Sequence, residues 1–180
     1  MLTGEQVATF NEMGYLNGGM VLDDAQVEVL REELDRVIAD KDRKDVRQPV
    51  LLRNLRGDDK APVWQIVNIW EASEPFRVLH SNPKILEDMA QLTQAEELRI
   101  WHDQIQYKPA EIGGTTNWHQ DAPLWPIIRP MTEVSAWVAL DDVDVENGCM
   151  SMVPGSHQWG NQMDFIRSLE NYNAMPASFE

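Results

Sequence analysis

Three stretches of the chain alternate with a period of two residues, and a chain patterned that way has to bury one face of a sheet. Residues 63–70 set Trp64, Ile66, Asn68 and Trp70 on one side and Val63, Gln65, Val67 and Ile69 on the other, which predicts a mostly buried strand. Residues 98–108 and 133–140 repeat the pattern, and a turn at Glu146-Asn147-Gly148 follows the second. A short strand is also expected over 15–22.

Ahead of these strands the pattern is helical. Thr3 with Gln6 makes a capping-box pair before Val7, Phe10 and Met13, with Gly14 as the stop; Asp23 with Gln26 repeats it before Val27, Leu30, Leu34 and Val37. Asn82-Pro83 supplies an N-cap and a first-turn proline ahead of Ile85, Leu86, Met89 and Leu92, and His80 follows a short helix near Phe76 and Leu79. Residues 40–59 are charged and irregular, with a turn at Arg56-Gly57-Asp58-Asp59. The expected architecture is mostly β with α, helices packed on a largely antiparallel sheet or barrel in one domain over 1–180. Residues 1–95 are its helix-rich part and 96–180 its strand-rich part.

Charge narrows the class of partner. A net charge of −15 repels phosphate backbones and anionic lipid surfaces, so neither nucleic acid nor membrane is an expected partner. No apolar run approaches the roughly 20 residues of a membrane span. The start of the chain has no secretory pattern, and the single cysteine, Cys149, fits a reducing compartment; a cytoplasmic location is expected.

His119-Gln120-Asp121 places an imidazole and a carboxylate two residues apart, so in an extended segment both point to one side. With a distant histidine, such a pair makes the facial triad of non-haem iron(II) oxygenases. About 0.3 such pairs would arise by chance in a chain with four histidines, so the pair takes its weight from its surroundings. Those are Gln104 to Pro109, the loop to Thr116, Trp118-His119-Gln120-Asp121, the segment through Trp137 to Leu140-Asp141-Asp142, Asn147-Gly148, and Val153-Pro154-Gly155-Ser156-His157. In this order and spacing the chain resembles the phytanoyl-CoA dioxygenase family, and the opening Gly14-Tyr15 and acidic helix agree.

The resemblance implies a double-stranded β-helix (jelly-roll, cupin-like) with N-terminal helices, and Fe(II)- and 2-oxoglutarate-dependent hydroxylation of a small molecule with dioxygen. By matching positions, His119 and Asp121 are the first two iron ligands. Aspartate at 121, where halogenases carry glycine or alanine, implies hydroxylation rather than halogenation. Lys108, Trp137 and Gln104 match positions at the 2-oxoglutarate site, and Trp125 and His102 match positions against the substrate. His157 falls in a structural turn, closed by the Ser156 hydroxyl.

The family pattern continues past this sequence with a His-Gly-Ser segment and an arginine for the far carboxylate of 2-oxoglutarate. Neither occurs before Glu180, so the sequence reads as a truncated N-terminal piece, expected to be inactive alone. Two other readings remain open at this point: a cupin-type metal enzyme with His119, Asp121 and His157 as a complete site, and a binding module without catalysis.

Overall fold

The computed structural model of the chain describes residues 1–57 and 60–169. Asp58 and Asp59 of the expected turn, and the closing residues 176–180, lie outside the described residues.

Local capping sets the first two helices. In α1 (Gly4–Met13) the Thr3 hydroxyl accepts the Gln6 N–H at 3.2 Å while Gln6 Oε1 accepts the Thr3 N–H at 2.8 Å. In α2 (Asp24–Ala39) Asp23 and Gln26 make the same reciprocal pair at 2.8 and 2.9 Å. Each box satisfies amides that the first helical turn leaves without a carbonyl. Gly14 then stops α1 with φ of 83°, a left-handed conformation that costs glycine little.

Three short strands, β1 (Leu51–Asn54), β2 (Trp64–Val67) and β3 (Gln104–Tyr107), pair antiparallel in the order β1-β2-β3. The register aligns Leu52, Ile66 and Ile105 across the sheet. That row faces Leu30, Leu34 and Val37 of α2, and with Ile69 and Phe76 it makes the core. The opposite face is polar: Arg53 Nε donates to Gln65 Oε1 at 3.1 Å, and Gln65 Nε2 donates to Gln104 Oε1 at 2.8 Å. Since β3 lies beyond residue 95 and pairs with β2, the two parts of the chain share one sheet.

Helices α3 (Glu74–Leu79) and α4 (Pro83–Thr93) follow the hairpin, α4 capped by Asn82 Oδ1, which accepts the Lys84 and Ile85 N–H groups. Near the end of the described residues comes α5 (Met163–Ser168), which buries Met163 and Ile166. No helix among the described residues is long and apolar enough to cross a membrane.

The strands are shorter and fewer than the alternation predicts. β2 ends at Val67, not Trp70, because Asn68 turns left-handed (φ 56°) and residues 69–71 form a 3-10 turn. Burial there consequently falls on Val63, Ile66 and Ile69, a spacing of three rather than two. Asp103 holds this kink: its carbonyl accepts the Asn68 N–H at 3.1 Å and its Oδ1 the Ile69 N–H at 2.9 Å. The same engagement keeps residues 98–103 out of β3. Residues 15–22 form no strand, and within them Asn17 Oδ1 accepts the Gly19 N–H at 2.9 Å. Residues 133–140 pair with no other strand among the described residues, where helix outweighs strand.

Candidate active site

The loop after β3 carries the chain to the site along a path only glycine permits. A Cβ on the buried Gly114 would lie 2.7 Å from the Ala61 carbonyl oxygen, inside the β1–β2 connection. Arg56 Nη2 holds the next residue, donating to the Thr115 carbonyl at 3.2 Å. The backbone then delivers Asn117, whose carbonyl faces back onto His119 at 2.8 Å from Nδ1.

That contact orients the imidazole. With Nδ1–H donating to Asn117, Nε2 carries the lone pair, and it stands 3.3 Å from Asp121 Oδ1. The pair meets across a bend and not along a strand: Asp121 is helical (φ −74°, ψ −45°) and opens the 3-10 turn Ala122–Leu124. Two lone-pair donors at this distance repel each other unless a cation lies between them. A proton is one solution, and hydrogen bonding to Asp121, helped by the Asn117 carbonyl and opposed by desolvation, raises the His119 pKa. A metal ion is the other, since neighbouring ligands of an octahedral ion stand roughly 3 Å apart for bonds of about 2.1 Å. The donor set, one neutral imidazole and one carboxylate, therefore fits iron(II). Both side chains are close to half exposed, so the site opens to solvent.

The other expected residues divide into those near this pair and those elsewhere. His102 packs edge-on against Trp125, ring centroids 5.4 Å apart, so the two residues expected on the substrate side touch each other. Gln104 lies on the polar sheet face, bonded to Gln65, beside Gln106, whose buried Oε1 has no partner. The Lys108 ammonium extends toward the turn at Gly148, where a Cβ would lie 3.2 Å from Nζ. Among the described residues no ion pair joins it to Asp121, and Trp137 is half exposed.

His157 is placed away from the pair. Its Nε2 lies 3.1 Å from the Asn11 carbonyl and its ring covers Gly14, while the Gly155 N–H donates to the Met13 carbonyl at 2.9 Å. The Pro-Gly-Ser-His turn thus docks on the C-terminus of α1. It is closed through the backbone, the Ser156 N–H donating to the Val153 carbonyl at 3.2 Å. Among the described residues no three histidine, cysteine, aspartate or glutamate side chains cluster as a metal site, so the three-ligand cupin arrangement is not formed.

Two residues that the sequence did not nominate belong to the neighbourhood. Asn117 acts through its backbone carbonyl, for which side-chain identity carries no signal. Glu133 is partly buried and its carboxyl pKa is raised, by desolvation first and further by the charge of Asp121, against a Ser135 hydroxyl bond at 2.7 Å and the charge of His102. Its signal was in the alternation, which sets Glu133 on the same side as Ser135 and Trp137. A cavity of about 100 Å³ separates the His119 segment from residues 151–169, with Trp118, His119, Met152, Trp159 and Ile166 among its walls.

The chain is similar to known proteins over most of its length. The chain is 29% identical over 169 residues to the peroxisomal phytanoyl-CoA dioxygenase of Mus musculus, covering 88% of this chain and 48% of that protein. It is 27% identical over 161 residues to the ectoine dioxygenase of Halomonas elongata, covering 87% and 46%. The chain therefore spans about half the length of the curated relatives it matches. Among solved structures it superposes on SnoK, a non-haem alpha-ketoglutarate-dependent carbocyclase of nogalamycin biosynthesis, with a TM-score of 0.69 and 28% identity over 87% of this chain and 58% of the other. The phytanoyl-CoA dioxygenase (PhyH) family pattern matches residues 10–177, and the chain belongs to that family.

Proposed function

We propose that this chain forms the iron-binding part of an Fe(II)- and 2-oxoglutarate-dependent oxygenase that hydroxylates a small molecule. The observation that carries the reading is the meeting of His119 Nε2 and Asp121 Oδ1 at 3.3 Å, with the other ring nitrogen occupied by a carbonyl. Members of the family are dioxygenases of this type. The full domain is read as a double-stranded β-helix, with residues 1–95 as its helical flank and 96–180 as the first part of its core.

Iron(II), when bound, supplies the dioxygen chemistry that side chains lack. The protein's own residues hold, orient and shield. His119 and Asp121 would hold the ion, and the aspartate would keep a halide from taking its place. Lys108 offers a point charge for a carboxylate of 2-oxoglutarate, with Trp137 and Gln104 as further cosubstrate contacts. Trp125 and His102, packed on each other, wall the substrate side. The acidic chain, with a net charge of −15, fits a small-molecule substrate better than nucleic acid or an anionic membrane, and a cytoplasmic enzyme is the reading that goes with it.

Anaerobic titration with iron(II) in the presence of 2-oxoglutarate tests the proposal. The wild-type protein is expected to bind, and His119→Ala and Asp121→Ala to lose binding while remaining folded. A folded His119→Ala that binds iron as tightly as wild type overturns it.

A further inference from the structure

Gln120 stands between the two residues assigned to the metal, and both ends of its side-chain amide are engaged. Its amide nitrogen donates to the Gly160 carbonyl at 2.9 Å, and its amide oxygen accepts the Gln162 N–H at 2.6 Å. Its backbone N–H meets Met163 Sδ at 3.2 Å. The anchor itself is packed, because Met163 and Ile166 of α5 are buried.

One residue links His119 to Asp121, so the backbone torsions of Gln120 fix how the two ligands face each other. A side chain bonded at both ends cannot turn without breaking a bond, so the backbone that carries it, and with it the placing of both neighbours, is held. Filling space alone would call for neither bond. A primary amide donates and accepts at once, which a carboxylate or a thioether of the same length does not.

We propose that Gln120 is a positioning residue that presets the His119 Nε2 to Asp121 Oδ1 separation for one cation, an inference that rests on the assignment of that pair to the metal. Outer partners that bond the ligands themselves change metal affinity by roughly 10- to 100-fold when removed, and a residue covalently joined to both ligands is placed to act on the same scale.

The test compares the wild-type protein, His119→Ala, Gln120→Met and Gln120→Glu. Iron(II) is titrated anaerobically with 2-oxoglutarate present, the ring ¹⁵N shifts of His119 are recorded without metal, and thermal unfolding checks the fold. Gln120→Met, which removes both amide bonds, is expected to displace the His119 shifts and weaken iron binding roughly 10- to 100-fold. Gln120→Glu keeps the acceptor for Gln162 and loses the donor to Gly160, so it should fall between. If Gln120→Met does not fold, Gln120→Glu decides alone. Variants that leave the shifts unchanged and bind as tightly as wild type, while His119→Ala has lost the metal, overturn the positioning role only. If His119→Ala still binds, the metal assignment falls and this inference with it.

Discussion

The imidazole of His157 occupies the space that a side chain at position 14 would need: a Cβ on Gly14 would lie 2.3 Å from Nδ1 and 2.8 Å from Cγ. Gly14 also sits at φ of 83°, where any other L-residue is strained by about 1–2 kcal/mol. Gly14→Ala combines both penalties, and it should lower unfolding free energy by at least about 2 kcal/mol in chemical denaturation. A loss below the strain alone would mean that the turn at 154–157 can lift off α1 freely.

Replacing the other partner separates structure from metal. His157→Ala removes the bond to the Asn11 carbonyl and should cost about 1 kcal/mol of stability, while leaving iron affinity at the wild-type value. Denaturation and anaerobic titration on one preparation read both quantities. Loss of iron by a folded His157→Ala would restore the three-ligand cupin reading.

His119 gives a pH dependence with a definite sign. Because its pKa in the folded chain is raised above the ordinary imidazole value of about 6.5, the contact with Asp121 stabilises the metal-free fold fully below that value. The contribution fades as pH rises through the raised pKa. The stability gap between wild type and Asp121→Asn should therefore be largest near pH 5 to 6, taken as approximate bounds, and close at alkaline pH. Iron binding runs the opposite way, strengthening with pH as the imidazole gives up its proton. NMR titration of the His119 ring in both proteins checks the shift; equal midpoints would refute the coupling.

Asp103 should prove the most sensitive polar residue of the fold. Its carboxylate joins the Ile69 N–H at 2.9 Å and His80 Nε2 at 3.1 Å, both ends largely buried. Asp103→Ala leaves that amide and imidazole without partners and should cost about 3 kcal/mol, seen as a lower denaturation midpoint. An unchanged midpoint would show that water replaces the carboxylate at the kink.

What could be read from the sequence was what is decided locally. Both capping boxes, the stop at Gly14 and the buried row Leu30, Leu34 and Val37 depend on neighbours within a turn or two, and all are present. The strand ends were hidden because they depend on distant groups: only the arrival of Asp103 at Asn68 and Ile69 cuts β2 short. Residues 133–140 show that alternation describes a face and not a partner. At the site, the spacing of His119 and Asp121 was legible from residue types. The Asn117 carbonyl and the Gln120 bonds were not, since both arise from where the backbone folds back.

The bond from Gln120 to Gly160 closes a long excursion of the chain on itself, and that closure bears on how such a protein can diversify. Residues 121–159 leave from and return to the same clamp, and they include Glu133, whose carboxyl feels the charge of Asp121. The entropy of closing a flexible loop grows only with the logarithm of its length, roughly 0.6 kcal/mol for each doubling. Insertions and deletions in the exposed stretch of the excursion, residues 126–132, are therefore cheap, while Leu140 on the core and the turn at 154–157 on α1 hold the rest. That stretch can then be exchanged over evolutionary time while His119 and Asp121 keep their address.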